Sequence, residues 1–337
     1  MKIWKSFLVG TASVLALSGC STQPSAEEQE VTTWKLNHFS DSNHYWNETS
    51  EYFADRVEEY TDGSVNIEVY ANGQLGDEVN TINSIQHGAI DMTITGETLE
   101  NWTPSAMLMA TPYAFNSQEH MRSTVEGEIG QEIESDIKEN AGLTPLFYME
   151  RSPRNLTSNR PISAPEDLNG LDMRVPNVPL FIDAWSEAGA QPQSISLSEV
   201  FTALQQGVID GQENPNDLIQ SNGFYEVQNY INETQHVRSW IYVVIGNDQF
   251  EALTPEEQDE VQRAAEDAQE YSQELFTEQV EIVEQTLRDE GVQFNENVDQ
   301  KAFQQAMQPA IREYFDQEQY EMYQQIVEQG KERENSE

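Results

Sequence analysis

Leu204-Gln205-Gln206-Gly207-Val208-Ile209-Asp210 restates, 119 residues further along, the phrase Ile85-Gln86-His87-Gly88-Ala89-Ile90-Asp91. In each copy an amphipathic helix ends, a glycine supplies the left-handed conformation that closes it, and an apolar pair leads into a strand. One such junction is common in α/β proteins. Two of them, with strands and helices alternating around each, predict two similar α/β lobes.

Working outward, residues 33–39 read as a first strand and 44–60 as a helix, with Tyr45, Tyr52, Phe53, Val57 and Tyr60 at helical spacing before the turn Asp62-Gly63. Val65, Ile67 and Val69 alternate with polar neighbours as a strand does, and Gly73 and Gly76 break the chain ahead of the helix that ends in the first copy. Beyond Pro255 one polar helix runs from 256 to about 289 and is closed by Gly291. At 1.5 Å per residue it reaches roughly 50 Å, more than one lobe is wide. It either braces both lobes or pairs with a second copy; its irregular apolar stripe favours bracing. A last helix is expected over 301–329, carrying Phe303, Met307, Ile311, Phe315, Tyr320 and Ile326.

Lys and Arg number 17 against 60 Asp and Glu, a net charge of −43, which excludes a general nucleic-acid binder because such proteins neutralise phosphates with an extended surplus of cations that is absent here. The 13 Phe, 13 Tyr and 6 Trp are enough to build a core, so wholesale disorder is excluded as well. Cys20 is the single cysteine, leaving no internal disulfide and no cysteine-based zinc site. It closes a segment with Lys2 and Lys5, an apolar run, and Leu17-Ser18-Gly19, the pattern of a secretory signal. Leu-Ser-Gly-Cys resembles the bacterial lipobox, which implies a signal peptide over 1–19 and an acylated Cys20 anchored to a membrane, followed by a polar tether. The acidic residues are spread along the whole chain, as on a salt-adapted surface outside the cytoplasm.

Sixty carboxylates make any proposed catalytic pair uninformative. The five histidines form no H-E-x-x-H, and no nucleophile elbow, P-loop, dinucleotide fingerprint or EF-hand loop occurs. No catalytic residue, metal site or cofactor is therefore expected. The cations are more telling. Arg151, Arg154, Arg160 and Arg174 lie in a stretch whose acids are Glu166, Asp167 and Asp172, a net +1 inside a strongly negative chain. Arginine's planar fork matches a carboxylate through two hydrogen bonds, so the cluster points to an anion site. Arg174 sits where a short apolar strand meets Pro176, and Asn214 follows the strand of the second repeat, its counterpart in the first being Thr95. Ligands of open α/β sheets bind at the carboxyl ends of strands.

These residues belong to a longer series: Gly73-Gln74-Leu75-Gly76-Asp77-Glu78, Gly88-Ala89-Ile90-Asp91-Met92, Thr111-Pro112-Tyr113-Ala114-Phe115, Pro153-Arg154-Asn155-Leu156-Thr157-Ser158, Gly170-Leu171-Asp172-Met173-Arg174-Val175-Pro176, and Ser198 through Gln212-Glu213-Asn214-Pro215. In that order the chain resembles the substrate-binding proteins of tripartite ATP-independent periplasmic (TRAP) transporters, solute-binding family 7, over nearly its whole length after Cys20. The resemblance implies a two-lobed periplasmic-binding-protein-like α/β fold with a ligand cleft and a lobe-bridging helix. It implies lobe I from 33–151 plus about 240–279, and lobe II from 152–239 plus about 280–333. It further implies a monomer that captures a small organic acid and hands it to an ion-gradient-driven membrane permease.

By the same resemblance Arg174 grips the ligand carboxylate, Arg154 and Asn214 contact the ligand, Glu78 reaches it from the first lobe with Thr95, and His38 and Phe39 stand where members vary with substrate. Gly96, with Glu97 beside it, stands where sialic-acid-binding members carry a Glu. Met173 and Asp172 surround Arg174 where ectoine binders tend to have an aromatic residue. These departures weaken a sialate and an ectoine reading, and the resemblance then implies a sugar acid such as a uronate, or a C4-dicarboxylate. A secreted carboxylate-dependent hydrolase and a ligand-sensing module for a membrane receptor are the alternatives.

Overall fold

The computed structural model describes residues 31–334; the signal segment, Cys20 and most of the tether lie outside them. The first half runs β1 (Thr32–Asn37), α1 (Tyr45–Tyr60), β2 (Val65–Tyr70), α2 (Glu78–Gln86) and β3 (Met92–Thr95). Two short 3-10 segments follow (Glu97–Asn101 and Pro104–Ala110), then α3 (Gln118–Val125), α4 (Glu128–Asp136) and β4 (Leu143–Glu150). The second half runs β5 (Arg154–Ser158), β6 (Asp172–Val175), α5 (Pro179–Glu187), β7 (Gln191–Ser194), α6 (Leu197–Gln205), β8 (Gly211–Pro215), α7 (Asn216–Ser221) and β9 (Tyr230–Val237). The chain then continues through β10 (Trp240–Gly246), α8 (Asn247–Glu251), α9 (Pro255–Asp289), β11 (Gln293–Asn295), α10 (Gln300–Tyr314) and α11 (Gln317–Glu334).

These strands make two sheets, ordered β2-β1-β3-β10-β4 and β11-β9-β5-β8-β6-β7. The repeat is visible in them. β1 pairs in parallel with β2 and β3, and β6 pairs in parallel with β7 and β8. An antiparallel strand then lies against each trio, β10 on β3 and β5 on β8. Both repeat glycines have the left-handed backbone, Gly88 at φ +71° and Gly207 at φ +68°, a region that only a residue without Cβ enters at no steric cost.

The chain crosses from the first sheet to the second between Glu150 and Arg154 and returns between Val237 and Trp240. α9 is the third connection. Thr254 and Glu257 cap its start reciprocally and Pro255 occupies its first turn. Its early apolar stripe, Val261, Ala264, Ala265 and Ala268, packs with Trp34, Phe53 and Val57 of the first lobe. Val283 and Leu287 near its end pack with Val200, Leu204 and Phe224 of the second. It is the brace that its length predicts.

Three local expectations differ from the structure. The last helix is two, because α10 stops at Tyr314, Phe315 turns extended and buried, and Asp316 accepts from the Gln319 N–H at 2.9 Å to start α11. α10 packs on α5 and β9, whereas α11, expected with the second lobe, packs on α3 and the Pro104–Ala110 segment. Asn214 lies inside β8, paired with Asn155 of β5, and not after the strand.

Candidate functional site

A cavity of about 780 Å³ opens between the lobes, at the carboxyl ends of the parallel strands of both sheets. Its first-lobe wall is Thr95 at the end of β3, the following Gly96 and Glu97, and Glu78 at the start of α2. Gly96 is required there by contact, since a Cβ would come within 2.8 Å of the Ile241 side chain. The second-lobe wall is Arg174 of β6, Asn214 of β8, and the run of serines that leads from β7 into α6.

Three arginines are buried against this cavity, and they are not alike. Arg154, from β5, forks onto Glu213 (Nε to Oε2 2.5 Å, Nη2 to Oε1 2.7 Å), donates from Nη1 to Glu97 Oε1 at 2.8 Å and reaches Asn214 Oδ1 at 3.2 Å. Arg151 donates to the same Glu97 oxygen at 3.0 Å. Arg174 donates only its Nε, to the Ile195 carbonyl at 2.7 Å. Among the described residues it is the one buried arginine with no carboxylate within ion-pair distance. Burial draws its pKa down to about 10, which still leaves it charged at neutral pH.

The carboxylates behind the cavity follow their partners. Burial pushes Glu213 up, but the charge and hydrogen bonds of Arg154 outweigh it and hold the group at about 2. Glu97 is also held below the usual range, the opposing pull of burial overcome by Arg151 and Arg154. His236 Nε2 lies 2.9 Å from Glu213 Oε2, and burial keeps its pKa low. Glu78 is different: it accepts from Thr95 Oγ1 at 2.6 Å, and burial followed by the nearby Glu97 charge pushes its carboxyl up.

Of the residues expected from sequence, Arg174, Arg154, Asn214, Glu78, Thr95 and Phe39 line this one cavity. His38 does not. Its backbone extends the sheet edge toward Tyr70 and Gly73, and its buried ring turns to Asn47 of α1 and to Ser40, each at 3.0 Å. Burial lowers its pKa to about 4, so it is neutral. Arg151 entered the sequence reading only as a member of the arginine cluster and Glu97 only as the neighbour of Gly96, and Glu213 and His236 were not given a role in the site. The one signal for Glu213 is its place next to Asn214. Across the cleft the lobes also meet where Asn101 Nδ2 donates to the Asn177 carbonyl at 2.9 Å and His44 Nε2 lies 3.0 Å from Asp217 Oδ2.

The arrangement offers a buried cation among amide, hydroxyl and carboxyl groups from both walls, which suits an acid that also carries hydroxyls. The profile of the family described as bacterial extracellular solute-binding protein, family 7, matches residues 36–318. A solute-binding protein of Roseobacter denitrificans is 46% identical over 302 residues, covering 90% of this chain and 92% of that one. Among solved structures, a TRAP periplasmic solute-binding protein from Roseobacter denitrificans with bound L-galactonate superposes with a TM-score of 0.86 at 45% identity, covering 88% of this chain and 99% of the other. Another, from Chromohalobacter salexigens with bound D-glucuronate, gives a TM-score of 0.85 at 30% identity, covering 88% and 99%.

Proposed function

The chain belongs to the bacterial extracellular solute-binding proteins of family 7, whose TRAP members work outside the cytoplasm with membrane permeases, and from that premise we propose that it captures a sugar monoacid on Arg174. The observation that carries the assignment is the charge state of the three arginines. Arg151 and Arg154 are already matched by Glu97 and Glu213, whereas Arg174 presents a buried guanidinium whose Nη atoms have no carboxylate. A ligand carboxylate supplies that partner through two parallel hydrogen bonds, in a site dry enough to strengthen them.

The rest of the wall argues for hydroxyls and against a second acid group. Facing Arg174 are Glu78, Thr95, Asn72 and Asn80, and the second-lobe rim is Ser194, Ser196 and Ser198. Among the described residues no further unpaired buried cation is present to receive a second carboxylate. Of the two acids expected from sequence, a uronate or aldonate therefore fits better than a C4-dicarboxylate. Arg154 and Asn214 form the floor under the acid group, Phe39 covers one side, and hinge motion about the two strand crossings shuts the walls. The bound acid is then handed to the permease by a monomer held at the membrane through acylated Cys20.

A thermal-shift screen in high salt tests this. Galactonate, galacturonate or glucuronate at ~100 times its dissociation constant should stabilise the protein by about 2.7 kcal/mol, with succinate and malate giving no shift. The acid should be recovered unchanged after incubation. Stabilisation by the dicarboxylates alone, or by none of these acids, would contradict the proposal.

A further inference from the structure

The cavity wall holds more charge than one ion pair with a ligand requires. Arg151, Arg154 and Arg174 supply three buried cations; Glu97 and Glu78 on the wall and Glu213 behind it supply three carboxylates, with Asp77 and the exposed Glu199 lining the cavity outside this inner six. With all six ionised the cluster is neutral. His236 adds no charge, since burial disfavours its protonation. An arriving carboxylate then leaves an enclosed group of side chains and ligand at −1, a state that low dielectric and excluded water penalise heavily. One proton restores the balance, and geometry decides where it goes. Glu97 and Glu213 are each in direct contact with an arginine. Glu78, among the described residues, has no cation within ion-pair distance and is held by the side chains of Thr95 and Thr98.

Resting on the sugar-acid reading above, we propose that Glu78 takes up a proton as the ligand carboxylate docks on Arg174, so that ligand capture is coupled to protonation of the opposite wall. The proton comes from solvent and stays on the Glu78 carboxyl until release. The charged groups facing Glu78 are Glu97 from the segment after β3, Arg151 from the strand crossing, Arg154 from β5 and Arg174 from β6, with Asp77 adjacent in α2's cap, where it is turned to Asn80. Burial already favours the neutral carboxyl at this position, and a ligand carboxylate adds a like charge to that of Glu97. A neutral carboxyl both donates and accepts, which matches a sugar hydroxyl better than a carboxylate does.

The sign of the pH effect follows. A carboxyl whose pKa is higher in the complex than in the free protein makes binding tightest below the free value. Affinity falls by up to about tenfold per pH unit between the two values and is level above the bound one. The test is calorimetry with galactonate, and with galacturonate and glucuronate in parallel, on the full chain in high salt. It runs from about pH 5 to about pH 8, in pairs of buffers that differ in ionisation enthalpy. Wild type should take up a fraction of a proton per ligand and weaken as pH rises, and Glu78→Gln should bind with no uptake and no slope over that range. Ligand-induced infrared difference spectra on wild type should show a protonated carboxyl band appearing, a readout that stands even if the variant does not fold. Binding without uptake or band, or uptake undiminished in Glu78→Gln, overturns this proposal and leaves the sugar-acid reading intact. No binding by any of the three acids at any pH overturns both.

Discussion

Arg154 gives every nitrogen of its guanidinium to the protein, Nε and Nη2 to Glu213 and Nη1 to Glu97, while Arg174 keeps both Nη atoms clear of carboxylates. Two arginines 20 positions apart, both buried, thus have opposite surroundings. Arg154 is taken up by the protein's own carboxylates, and Arg174 is the one proposed to hold the ligand. For the shape-holding pair, removing one partner is far worse than never having built it, because the other charge is stranded away from water. Glu213→Gln should therefore destabilise the folded protein by about 3–5 kcal/mol, read from urea unfolding at neutral pH. Glu213 is held at about 2, below the roughly 4.3 of an unfolded glutamate. Its contribution is complete above the unfolded value and disappears as pH falls through the folded one. The gap between wild type and Glu213→Gln should accordingly narrow as pH is lowered from about 4 toward about 2.

At the scale of elements, the two helix–glycine–strand junctions bear the fold's internal symmetry. Gly88 and Gly207 adopt left-handed φ with open space where a Cβ would stand, so the cost of a side chain there is conformational and not a clash. Gly88→Ala and Gly207→Ala should each lower stability by about 1–2 kcal/mol, and the double variant by about the sum, since the junctions lie in different lobes. Denaturant midpoints for the three variants check this, and values near wild type would mean that the junctions do not need that geometry.

These junctions were legible because their signals are local: a helical period, a glycine, an apolar pair. That Arg174 and Asn214 line the cavity was legible for a related reason, Arg174 standing on a short apolar strand stopped by a proline and Asn214 just beyond the second junction. The break at Phe315 was not, since that residue keeps the apolar spacing of α10 while the Asp316–Gln319 cap starts a new helix. Nor were Glu97 and Glu213. Which of 60 carboxylates are buried against arginines depends on how strands from distant parts of the chain pair, and no local pattern marks them. His38 was expected at the pocket because the family resemblance places substrate-dependent variation at the end of the first strand, but its ring is taken by Asn47 and Ser40.

At the scale of the whole molecule, 60 acidic against 17 basic residues oppose compaction. The buried ion pairs are shielded from solvent ions and the acidic surface is not, so salt should act on the two differently. Raising ionic strength from about 0.01 to about 1 M shortens the screening length from roughly 30 to roughly 3 Å, and the melting temperature should rise steeply across that range. A flat or falling profile would mean that the surface charge is not under strain. Two strand crossings, α9, the passage from α10 to α11 and the contacts Asn101–Asn177 and His44–Asp217 join the lobes.

The central claim is that the guanidinium of Arg174 grips a sugar acid's carboxylate between the lobes, and titration calorimetry of galactonate, galacturonate and glucuronate into wild type, Arg174→Ala and Arg174→Lys tests it directly. The alanine variant should lose about 2–5 kcal/mol of binding, roughly 30- to 4,000-fold in affinity, and the lysine variant should not recover it, because a point charge cannot replace the fork. Either variant binding within about threefold of wild type, while retaining the wild-type melting temperature, would contradict the account.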